Sequence, residues 1–106
     1  MSNIIENKDL LKIDEDFPKI ALGDKLFEVN DLHENAKKMD ELLKNQDEKI
    51  DKDYQVLVIA FGEDKAKEIS EMKLKSKAHR ALVQTAMATV YGMTVEEMKE
   101  AMNSKN

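Results

Sequence analysis

Three glycines and one proline are all that punctuate this chain of 106 residues, and each stands at the edge of an apolar stretch. These two residue types are the strongest local breakers of regular backbone, so their placement divides the chain before any element is assigned. Pro18 opens the first stretch and Gly23 splits it. Gly62 ends a run of six apolar residues, and Gly92 ends the Ala-rich segment behind it. Isolated in this way, the glycines mark turns and helix ends and form no loop able to cradle a phosphate.

Lys19-Ile20-Ala21-Leu22 and Lys25-Leu26-Phe27-Glu28-Val29 read as two short strands around Gly23-Asp24. Gly at the first turn position supplies the positive φ of a two-residue hairpin. Phe27 and Val29 give the second strand an apolar face, and so marginal a hairpin must lean on helices. Asp31 with Glu34 is a capping-box pattern. Leu32, Ala36, Met39 and Leu43 then form one apolar stripe on a helix ending near Asn45. Residues 45–53 are a polar connector. Tyr54, Leu57, Val58 and Phe61 recur at i, i+3, i+4 and i+7, which favours a helix stopped by Gly62. The β-branched run Val56-Leu57-Val58-Ile59 also suits a buried strand, and six apolar residues leave both readings open.

Residues 63–72 predict a short helix with Ala66, Ile69 and Met72 inward and an acidic start that suits the helix dipole. Residues 73–77 are a basic turn. Residues 76–91 form the strongest helical pattern, with Leu82, Val83, Met87 and Val90 inward. Thr94 and Glu97 make a second capping box, opening a last helix that runs through Met102. The fold class expected is mainly α, a small helical bundle with a short N-terminal β-hairpin. It forms one domain over residues 17–106, preceded by a polar arm, residues 1–16. Ile4, Ile5, Leu10, Leu11 and Ile13 of that arm follow no sustained period; the arm is read as loosely ordered or docked on something, and expendable for folding.

Composition narrows the function classes. Cysteine is absent, which removes disulfides, thiolate nucleophiles and Cys-based metal sites. The net charge is −5 and Arg80 is the only arginine, so phosphate and base contacts have little material. Residues 1–53 carry nine lysines against fifteen acidic residues, whereas residues 54–106 carry eight basic against seven acidic. The longest apolar run falls far short of the roughly 20 residues of a membrane span, and the acidic-polar opening has no secretory leader pattern. His33 and His79 fall on different predicted helices without metal-ligand spacing. The acidic run 47–53 lacks the glycine and closing glutamate of an EF-hand loop. No Ser or Thr has a neighbouring His to activate it. The expectation is a small intracellular protein that is not an enzyme, needs no metal or cofactor, and binds neither nucleic acid nor membrane.

Two features remain. Lys73, Lys75, Lys77 and Arg80 form a basic patch, read first as a solvated turn and otherwise as a landing site for an acidic partner such as the acidic half of a second copy. Five of seven methionines fall in the last 35 residues. Thioethers adapt to irregular partners. Val95, Met98, Ala101 and Met102 share one stripe of the last helix, which packs on the core or else captures an amphipathic helix. The candidate binding surface is that stripe, with the basic patch as its electrostatic guide.

The run Phe61-Gly62-Glu63-Asp64-Lys65-Ala66-Lys67-Glu68-Ile69, the short turn, the long Ala-rich helix and Tyr91-Gly92-Met93 before an acidic end resemble the small tail assembly chaperones of long-tailed bacteriophages. Leu22-Gly23-Asp24-Lys25 matches the turn of that group's strand pair, and residues 35–43 match the helix behind it. The resemblance covers roughly residues 18–100, and the long polar arm departs from it. It implies a mostly helical protein of the bacterial host cytoplasm that binds the long helical tape-measure protein before the tail tube polymerises. It favours the helix over residues 54–61. It also implies a longer frameshifted product, and the tail tube protein could then displace the chain; homo-oligomers are a separate option, through the basic patch and the acidic half of a second copy. A structural adaptor of a particle is the competing reading. A helix-turn-helix regulator built from residues 63–91 is disfavoured, because its reading helix offers only Lys77 and Arg80 as cations.

Overall fold

The computed structural model describes residues 17–103, without the side chains of the last two, and the arm of residues 1–16 lies outside the described residues. The first element is a hairpin of β1 (Lys19–Leu22) and β2 (Lys25–Glu28), antiparallel, with Ile20 opposite Phe27 and Ala21 opposite Leu26. Gly23 sits at φ +64° in the first turn position, a conformation that costs an L side chain energy and glycine none. Val29 N–H donates to the Pro18 carbonyl at 2.8 Å and pins the hairpin's base. Phe27 and Val29 are buried, as their shared face predicts, and Leu26 stays exposed.

Helix α1 spans His33–Lys44. Its start departs from expectation. Asp31 does not cap it; the Asn30 side chain accepts from Leu32 N–H at 3.2 Å, and Leu32 is the cap residue without a side-chain bond of its own. The apolar stripe is corrected too. Met39 is buried, but Leu32 and Leu43 are exposed, and Asn35 takes an inward position at 5% exposure. The cause is polar. Asn35 Nδ2 donates to Ile59 O at 2.8 Å and to Asn30 O at 3.2 Å, which turns that side of α1 to the interior.

The connector that follows uses its acids as turn formers. Asn45 Oδ1 accepts from Asp47 N–H at 2.8 Å, Asp47 Oδ1 from Lys49 N–H at 3.0 Å, and Asp51 Oδ1 from Tyr54 N–H at 3.1 Å. That last bond caps α2, Lys52–Phe61. The strand alternative for residues 54–61 is thereby resolved in favour of helix. Val56, Leu57 and Ala60 are buried, with α1, α3, α4 and β2 packed around them. Gly62, at φ +91°, ends α2 by donating to Val58 O and accepts from Ala66 N–H as α3 (Glu63–Glu71) begins.

Helix α3 buries Ala66 and Ile69 on α2. Its Glu68 meets Lys25 of the hairpin at 3.2 Å, and the Lys25 hydrogen bond, helped by its charge and by Lys65 at 3.6 Å, holds the Glu68 carboxyl below its ordinary range against an opposing desolvation. Exposed as it is, this pair orients the hairpin more than it stabilises it. Phe27 and Phe61 meet edge to face at 5.9 Å. Helix α4, Ser76–Val90, buries Leu82, Val83, Ala86, Ala88 and Val90, while Met87 is half-buried. It ends in a Schellman motif: Met93 N–H donates to Ala88 O, Gly92 N–H to Thr89 O, and Gly92 takes φ +71°. Helix α5, Val95–Asn103, opens with the expected capping box. Glu97 N–H donates to Thr94 Oγ1 at 3.0 Å, and Thr94 N–H to Glu97 Oε1 at 2.9 Å.

Asn35→Ala should cost about 1–3 kcal/mol in urea unfolding, because it strands the Ile59 carbonyl in a partly buried place. Asn35→Asp should cost more, since it sets a second acceptor against that carbonyl. A loss under about 0.5 kcal/mol for both would mean that the bond does not hold α1 to α2.

Candidate protein-binding groove

Helices α1, α4 and α5 meet around an open groove of 390 Å³. Its apolar lining is Leu43 of α1, Met87 and Tyr91 at the end of α4, Met93 in the turn, and Met98 and Ala101 of α5. Asp40 and Lys44 stand on the α1 side. Leu43 is 38% exposed and Met93 40%, so the groove presents apolar surface to its surroundings. Tyr91 ties the walls together, its hydroxyl donating to Asp40 Oδ1 at 2.6 Å. Burial, then that hydrogen bond and the Asp40 charge, push the phenol's pKa well above the tyrosine range.

The stripe expected on the last helix is present only in part. Val95 is half-buried and Ala101 exposed, but Met98 is 6% exposed and anchors α5 to the bundle. It forms the groove's floor. Met102 continues the helix, and its side chain lies outside the described residues. Lys73, Lys75, Lys77 and Arg80 are all exposed. Lys73 adopts φ +52° in the turn before α4, and Arg80 borders a small polar depression shared with His79, Ser76 and Asp53.

The two halves of the expected surface do not meet. The basic residues sit at the N-terminal end of α4 and the methionine groove at the other, some 20 Å away along a 15-residue helix. Patch and groove are separate surfaces, and no single small contact engages both.

Sequence reasoning missed Asp40, Leu43 and Tyr91 as groove residues. Periodicity alone puts Leu43 in the interior, whereas Asn35 takes the inward side of α1 and Leu43 is exposed. Tyr91 and Asp40 are 51 positions apart, and no local pattern joins them. Among the described residues no three His, Cys, Asp or Glu side chains cluster as metal ligands, and His33 and His79 stand on α1 and α4. Also among these residues, no buried side-chain nitrogen or oxygen lacks a hydrogen-bond partner. Among the described residues no helix is long and apolar enough to cross a membrane. Comparison with protein-family models, curated proteins and solved structures finds no match to this chain.

Two outcomes follow from the groove's geometry. Met98→Asp should lower the melting temperature sharply, because it places a charge on a buried floor, whereas Met93→Asp should stay within about 0.5 kcal/mol of the parent. The reverse order would put Met98 on the outside. In an ultraviolet titration, one of the two tyrosines should ionise only above the ordinary range, and Tyr91→Phe should remove that late step. The sign follows from the raised pKa. The stabilisation is complete below about pH 10 and is lost as pH climbs through the raised value.

Proposed function

We propose that this chain is a non-enzymatic tail assembly chaperone of a long-tailed phage, acting in the host cytoplasm to bind the tape-measure protein and keep it soluble until the tail tube polymerises. One observation carries the reading: an open apolar groove, floored by Met98 and lipped by exposed Leu43 and Met93, between three helices. It adds to the resemblance over residues 18–100. A groove of this kind takes the apolar face of an amphipathic helix, with anchors one turn apart.

The physical task suits such a surface. A long helical protein with uncovered apolar faces aggregates, and an acidic binder both covers those faces and adds repulsion between complexes. Thioethers fit successive, non-identical segments. Many weak contacts along one chain sum to firm binding, yet each can be displaced singly by the tail tube protein.

The test is to look for a very long, helical reading frame immediately downstream and to co-express its product with this chain. Leu43→Asp with Met93→Asp should abolish co-purification while circular dichroism and melting stay close to the parent. Retained binding by that folded variant sinks the groove as the contact. Mass spectrometry of finished particles separates the adaptor reading: a chaperone is absent from them, a structural adaptor is present.

A further inference from the structure

Helices α2 and α4 begin at the same end of the molecule, for Asp53 in the first turn of α2 borders one small depression with Ser76, His79 and Arg80 at the start of α4. This end carries both signs of charge side by side. Residues 72–80 hold four cations, Lys73, Lys75, Lys77 and Arg80, and no acid. Residues 47–53, which lead into α2, hold Asp47, Glu48, Asp51 and Asp53 against two lysines. These four cations and four acids are all exposed. Among the described residues none of them forms an ion pair, although Asp53 and Arg80 border the same depression. Helix α4 also starts without a side-chain cap or an acid in its first turn, so its cations crowd the positive end of the helix dipole with nothing to offset them. Each segment holds one half-buried apolar residue as well, Ile50 in the acidic one and Leu74 in the basic one.

We propose that this end is a two-fold interface between two copies of the chain, the acidic segment 47–53 of each lying against the basic segment 72–80 of the other. Three arguments select a second copy. The first is symmetry. A two-fold contact joins a surface to itself, so a face with adjoining acidic and basic halves meets its complement in a second copy, and every ion pair is made twice. The second is what the chain leaves unmet, since a copy brings acids to the start of α4 and cover to Ile50 and Leu74 together. The third is exclusion. A nucleic acid or a wholly acidic protein reaching the cations also meets the acids beside them, on a chain of net charge −5, and like charges brought together disfavour such a partner. The interface lies some 20 Å along α4 from the methionine groove, so a dimer carries two open grooves. Under the proposed function both engage one long helical chain together; the interface itself does not rest on that reading.

Sedimentation equilibrium of the full-length chain at low ionic strength should give twice the mass of one chain, falling toward one as salt screens the pairs. Lys75→Glu with Lys77→Glu and Arg80→Glu turns the basic half acidic, and Glu48→Lys with Asp53→Lys turns the acidic half basic. Each variant alone should be a monomer with the parent's circular dichroism, and the two mixed in equal amounts should recover the dimer. Carbodiimide coupling of the parent, mixed from isotopically heavy and light chains, reads the same contact without substitutions. It should join carboxylates of residues 47–53 to Lys73, Lys75 or Lys77 in heavy–light pairs. Leu43→Asp with Met93→Asp, altered only in the groove, should dimerise as the parent does, which separates this interface from the proposed function. A monomeric parent, whether or not it binds heparin, overturns the interface. So does a dimer that survives either charge reversal, a mixture of folded variants that stays monomeric, or heavy–light coupling confined to other segments. Loss of the dimer in the groove variant also overturns it, and places the contact at the methionines.

Discussion

The carboxamide of Asn35 does what no apolar residue at its position can. A helix leaves its last carbonyls without partners, and in α2 those carbonyls point into partly buried space. Asn35 Nδ2 satisfies Ile59 O, and the backbone N–H of Asn30 satisfies Ala60 O at 2.8 Å. The same Nδ2 reaches Asn30 O. Three pieces of chain, the exit of the hairpin, the first turn of α1 and the last turn of α2, are thus fixed at one point. Val29 is fully buried directly beside it. The phase of α1 follows from this bond, and the phase of α1 decides which leucines face outward.

Elements whose determinants are local were legible in the sequence. Gly23 and Gly92 each take the positive φ that their turn demands, and the Thr94–Glu97 box forms both of its bonds. The inward residues of α4 were legible as well, except Met87, because a long helix averages over small errors of phase. Helix α1 was misread because apolarity was its only guide. Leu32, Ala36, Met39 and Leu43 make a plausible stripe, and nothing local announces that Asn35 will win the interior through a carbonyl 24 residues away. The same limit applies at its start, where the Asp31–Glu34 pattern forms no cap and Asn30 instead accepts from Leu32 N–H ahead of the helix.

The candidate surface was half legible for a related reason. A cluster of methionines signals adaptable apolar surface, but periodicity cannot tell floor from lip. Met98 faces inward, and Leu43 and Met93 form the lip. Charge was legible as sequence and misleading as geometry. The acidic connector lacks the pattern of a calcium loop, and Asp47 and Asp51 each give an oxygen to a backbone N–H instead. The basic patch lies at the wrong end of α4 to guide anything into the groove.

The groove's walls owe their positions to hydrogen bonds. Asn35 sets α1, and the Schellman turn at Gly92 with the capping box at Thr94 sets the angle between α4 and α5. Tyr91 and Asp40 then tie α4 across to α1. A partner entering such a frame does not have to order it, which removes one of the main costs of association. The lining itself is soft, since Met87, Met93 and Met98 each have three rotatable bonds and a polarisable sulfur. Rigid walls with a compliant lining select for the shape of an apolar helical face and tolerate changes in its side chains. That combination is what the proposed binding of many different stretches of one long helical chain would require.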